Sequence, residues 1–75
     1  MAKMKIRLGS ISEVREFNSL AATLPGDVDL HSGRYCIDAK SIMGIFSLDL
    51  SQPLTVEAAL PEAELQALFA PFAVK

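Results

Sequence analysis

The chain has 75 residues, a formal charge of −2 at neutral pH, one cysteine, one histidine and no tryptophan. That length fits one compact domain over residues 1–75, and a domain this small buries only roughly 60% of the surface its unfolded chain exposes, so its stability margin is thin. A hydrophobic fraction of 51% with 21% charged residues argues against disorder. One cysteine excludes an internal disulfide, and no Cys/His cluster is spaced to hold a structural metal. The start MAKMKIRL lacks the apolar core of a secretory signal, and no stretch is long and apolar enough to span a membrane. A cytoplasmic protein is the expectation, with no cofactor. Seven scattered basic residues also speak against a nucleic-acid surface.

In chain order, Met4, Ile6 and Leu8 alternate with Lys5 and Arg7, the pattern of a half-buried strand. Gly9 breaks it. Ser10 and Glu13 have the spacing of a capping box, with Ser12 as a second possible N-cap. Val14, Phe17, Leu20, Ala21 and Leu24 then recur at helical steps until Pro25-Gly26, which stops the helix. Val28 and Leu30 alternate with Asp29 and His31, and Ser32-Gly33 reads as a two-residue hairpin turn. That turn pairs His31 with Arg34, Leu30 with Tyr35, Asp29 with Cys36 and Val28 with Ile37. It puts Val28, Leu30, Tyr35 and Ile37 on the inner face, and it sets Asp27 opposite Asp38 at the open end. Asp29, His31, Arg34 and Cys36 fall on the other face.

Ser41 is a good N-cap for a short segment from Ile42 to Leu48. Ile42 and Ile45 should turn inward, with Phe46 as a further candidate, leaving Met43 and a neighbour exposed. Leu54, Val56 and Ala58 alternate as a fourth strand. Pro61 opens a last helix with Glu62 and Glu64 near its positive end. Leu65, Leu68, Phe69 and Phe72 form its stripe, and Pro71 should end the regular helix early. The order is βαββαβα. Strands with one apolar face and helices with one stripe predict an α+β, two-layer open-faced sandwich: four antiparallel strands covered by helices on one face.

The run Lys40-Ser41-Ile42-Met43-Gly44-Ile45-Phe46-Ser47-Leu48, following a Gly-turned hairpin, resembles HPr. HPr is the histidine-containing phosphocarrier of the bacterial sugar phosphotransferase system, and K-S-I-M-G is the run of its Gram-positive branch. The order and spacing of elements agree from about Lys3 to Phe69. The resemblance implies a phosphoryl-carrying histidine in a G-[IL]-H-x-R-P-A run between the first strand and first helix. Counted back from Ser41 without gaps, Ser10 stands where the histidine belongs, Ser12 where the arginine belongs and Glu13 where the proline belongs. Arg15, one turn along, compensates at most in part. The only histidine, His31, falls on the solvent face at the hairpin turn and reads as a surface residue.

The resemblance further implies that Ser41 is a site for a serine kinase whose product binds a catabolite-control regulator; its plain alternative is a helix cap. Ile42, Met43, Phe46 and Ser47 are the expected partner-binding residues, the partners being phosphotransferase-system or catabolite-regulation proteins, or a second copy of the chain. Cys36 reads as an unreactive surface thiol, and the Glu62/Glu64 pair as capping electrostatics. With no phosphate loop, nucleophile elbow or metal motif, no enzyme is expected. Three functions stay open: a regulatory or binding module without the phosphocarrier site, a phosphocarrier using Ser10 or His31, and a structural or oligomeric subunit.

Overall fold

The computed structural model describes residues 2–74. Strand β1 (Ala2–Ile6) leads to helix α1 (Ile11–Ala22), the hairpin β2 (Val28–Ser32) and β3 (Tyr35–Asp38), and the short helix α2 (Ile42–Phe46). Strand β4 (Leu54–Ala58), helix α3 (Glu62–Leu68) and a 3₁₀ turn (Ala70–Phe72) complete the chain. The strands form one antiparallel sheet in the order β1-β4-β2-β3. This is the expected α+β open-faced sandwich.

Alternation decides which side of the sheet is covered. Ile6, Val28, Leu30, Leu54, Val56 and Ala58 point to one face and are buried. Helix α1 lays Val14, Phe17 and Ala21 onto them, and α3 adds Leu65. Between the two helices Phe17 meets Phe69 with ring centroids 4.9 Å apart, and Phe72 meets Phe17 edge-on at 5.8 Å. The edge-on pair has a favoured T-shaped geometry that adds to the burial itself, and the Phe17–Phe69 rings are tilted at 41°. No buried polar or charged residue interrupts this core among the described residues.

The hairpin register differs from the sequence expectation. Ser32 pairs with Tyr35, His31 with Cys36, Leu30 with Ile37 and Asp29 with Asp38, so the turn residues are Gly33 and Arg34. The physical reason lies in the turn. Gly33 alone has positive φ, at 58°, which suits a turn with glycine at its first central position. A Ser32-Gly33 turn of type I′ would force positive φ on Ser32 as well. The change moves each partner by two residues, so the faces survive. Tyr35 stays on the helix side but is exposed at the sheet's edge. The like-charged pair is Asp29 with Asp38, inside the ladder, where Asp27 had been expected.

The C-terminus also does more than expected. The regular helix ends at Leu68, ahead of Pro71, which sits inside the 3₁₀ turn Ala70–Phe72, and the chain then runs back beside β1. Phe72 O accepts from Arg7 N at 2.8 Å, Val74 N donates to Lys5 O at 3.2 Å, and Ile6 bridges to Ala73. The outer edge of β1 is thereby partly paired, which protects an otherwise open template.

Candidate functional site

Two helix starts carry the residues singled out by the sequence. Ser10 is the N-cap of α1, in extended backbone, and its hydroxyl accepts from Glu13 N at 3.1 Å. Glu13 reaches back so that its Oε1 accepts from Gly9 N at 3.1 Å. Only the Ser10 half is that of a standard capping box, since Glu13 reaches the N–H of Gly9, one residue before the cap, instead of that of Ser10; a carboxylate of the chain itself still occupies the electropositive end of the helix. Ser12 lies in the first turn of α1, exposed, and is not the cap. Arg15 is exposed on α1.

The basic residue that does line the ground next to Ser10 is Arg7. Its guanidinium donates to Ser51 O at 2.9 Å, tying the end of β1 to the loop after α2. Arg7, Ser10, Ile11, Phe46, Leu50 and Ser51 surround an open groove. In the sequence Arg7 is only an outward strand residue. Its alternation with Ile6 and Leu8 predicted its exposure but carried no signal of the loop it meets.

Ser41 caps α2, and its hydroxyl accepts from Gly44 N at 3.3 Å. α2 packs beside β3 at Gly44, where a Cβ would meet Ile37 Cβ at 3.4 Å, an ordinary contact distance. Ile45 is buried and Ile42 is half-buried against the core. Phe46 turns outward and is 42% exposed, so it, with Met43 at 76%, is the uncovered part of the helix. Met43 and Phe46 are three residues apart and share a helix face. Ile11, 65% exposed, adds to this apolar surface from across the groove that it and Phe46 both line. Ser47 is exposed, but its hydroxyl donates to Gly44 O at 2.6 Å and caps the helix end. Of the four residues expected to meet a partner, Met43, Phe46 and Ser47 are exposed, whereas Ile42 is largely committed to packing.

His31 lies on the opposite face of the sheet from the helices whose starts Ser10 and Ser41 cap. It is within β2 on the uncovered face of the sheet, not at the turn, and its Nε2 is 3.1 Å from Glu57 Oε1. Cys36 is its cross-strand partner and is exposed. Both lie on the uncovered face of the sheet, whereas Ser10 caps a helix that packs on the other face.

No family model matches the chain, and no curated protein matches it. Solved structures do. HPr-C-His from Thermoanaerobacter tengcongensis is similar with a TM-score of 0.77 and 23% identity, over 96% of this chain and 91% of that one. The phosphocarrier protein HPr from Bacillus anthracis str. Ames is similar with a TM-score of 0.70 and 24% identity, over 95% of both chains. The fold is that of HPr. The likeness drawn from the Lys40–Leu48 run and the element order thus holds at the level of architecture, across nearly the whole chain. Among the described residues, no helix of this HPr fold is long and apolar enough to cross a membrane.

Proposed function

We propose that this chain is an HPr-like protein that has given up the histidine phosphocarrier site and works, without catalysis, by protein–protein contact through the Ser41–Leu48 helix. The observation that carries the reading is the apolar surface of Ile11, Met43 and Phe46 beside the Ser10 groove. Exposed apolar side chains concentrated in one place mark interaction surfaces more often than chance exposure does. Methionine and phenylalanine there supply adaptable and anchoring contacts.

The Ser10 position supports the loss of phosphoryl transfer. A phosphoryl group is held at a helix start by free N–H groups and positive charge. Here Glu13 places a carboxylate at that start and engages Gly9 N, which repels an incoming anion. Arg7 supplies one nearby cation, but its guanidinium is engaged by Ser51 O. Phosphorylation of Ser41 is the regulatory part of the proposal. The hydroxyl is exposed at a helix cap, where added charge meets backbone donors. The partners proposed are phosphotransferase-system or catabolite-regulation proteins in the cytoplasm.

Two measurements test this. Titrating the isotopically labelled chain with the first enzyme of the phosphotransferase system should shift the backbone signals of Ile11, Met43 and Phe46. Shifts confined to the uncovered sheet face would contradict the docking surface. Treatment with an HPr-type serine kinase and ATP should add one phosphate that Ser41→Ala abolishes, and incorporation unchanged in that variant removes the regulatory role.

A further inference from the structure

The face of the sheet that no helix covers holds an arrangement that the functional reading above leaves unused. Strand pairing aligns side chains in rows across that face. One row runs Lys3, Glu57, Asp29 and Asp38, through the pairs Lys3–Glu57, Asp29–Glu57 and Asp29–Asp38. The next runs Lys5, Thr55, His31 and Cys36. Asp29 thus has a carboxylate directly opposite it on each neighbouring strand, a destabilising arrangement in a sheet. Lys3, 3.9 Å from Glu57, is the one cation paired with this row among the described residues. Three carboxylates against one lysine leave the row short of positive charge.

Where the two rows meet, Asp29, His31 and Cys36 bring a carboxylate oxygen, a ring nitrogen and the thiol sulfur within 4.8 Å of one another. Sequence spacing, which shows no Cys/His cluster suited to a structural metal, misses this group. In sequence the three residues follow no metal motif, and it is the hairpin that brings them together. His31 is further constrained by Glu57. A carboxylate only accepts hydrogen bonds, so His31 Nε2 donates to it, and whenever the ring is neutral its lone pair is on Nδ1. A carboxylate that holds one ring nitrogen and orients the other is the usual outer partner of a metal-bound histidine.

We infer that Asp29, His31 and Cys36 form a binding site for a borderline-soft divalent cation of the zinc class, oriented by Glu57. The donor set decides the class. A thiolate with an imidazole and one carboxylate suits zinc, whereas magnesium and calcium take oxygen ligands alone. Three protein ligands on an open face leave the fourth tetrahedral position to water. Binding replaces the thiol's hydrogen with the metal, and the released proton passes to solvent. The two positive charges also relieve the repulsion at Asp29.

The test uses the complete 75-residue chain and cobalt(II) as a coloured substitute for zinc. Titration should develop tetrahedral visible bands together with a near-ultraviolet thiolate-to-cobalt band. Both should saturate at one equivalent and be displaced by zinc(II). Cys36→Ser should abolish the thiolate band, His31→Ala should weaken binding sharply, and Glu57→Gln should weaken it by about ten-fold. All three positions are away from the core, and circular dichroism of each variant confirms its fold. Absence of the thiolate band overturns the site. So does a band insensitive to His31→Ala, which means a lone thiol, or saturation at half an equivalent, which means a metal bridging Cys36 of two chains.

Discussion

Ser10 holds the start of α1 through its hydroxyl, and Glu13 reaches back from within the helix to the N–H of Gly9. Ser10→Ala should lower stability by about 1 kcal/mol, the usual cost of an uncapped helix, seen as a reduced urea midpoint with an unchanged m-value. A second single-residue effect sits at Asp49. Its carboxyl is held below the usual carboxylate range, first by the Ser51 hydroxyl and then by the Ser51 backbone N–H, against a small opposing desolvation. A lowered pKa in the folded state favours folding above the unfolded-state value, and that contribution fades as pH falls through the folded-state value. Thermal scans between neutral and acid pH should therefore show a slightly shallower acid decline for Asp49→Asn than for the native chain. A steeper decline would contradict the hydrogen-bonded turn. The roles of Ser10 and Ser41 as caps were legible from residue type and spacing. Those of Arg7 and Glu57 were not, because each acts on a residue more than twenty positions away.

Among the elements, the β2–β3 hairpin separates what pattern determines from what turn chemistry determines. Alternation fixed the faces, and these survive, because inward Val28 and Leu30 are buried in either register. The partner of each residue depends instead on which residue takes positive φ, and only Gly33 does. Gly33→Ala should cost roughly 1 kcal/mol through backbone strain alone, since a Cβ at Gly33 has open space around it. That cost should appear in thermal unfolding with the signals of the sheet core unmoved. The same register brings His31 opposite Cys36, which is why a cluster invisible in the sequence exists in the fold. On α2 the excess of apolar residues did predict an uncovered side. The choice of Phe46 as part of it depends on how α2 sits on β3, a tertiary matter. Phe46→Ser should leave the unfolding midpoint nearly unchanged while weakening contact with the phosphotransferase system's first enzyme several-fold. Loss of folding in that variant would show that Phe46 belongs to the core.

At the scale of the whole molecule, a chain this short depends on one apolar cluster in which Phe17 of α1 meets Phe69 and Phe72 at the C-terminal end of α3. Phe17→Ala should cost about 3–5 kcal/mol, enough to leave most of the protein unfolded at room temperature if its margin is as thin as its size implies. The architecture was readable because helical stripes and strand alternation are local signals that all agree. The return of the C-terminus along β1 was not, since Ala73 and Val74 carry no period of their own. The function proposed for the whole molecule is that of an HPr fold that works through protein contacts and no longer carries a phosphoryl group. Its most direct test is incubation with phosphoenolpyruvate and the first enzyme of the phosphotransferase system, followed by intact-mass measurement and acid treatment. The account predicts no added phosphate. An acid-labile, alkali-stable phosphate on the chain, removed by His31→Ala, would contradict it.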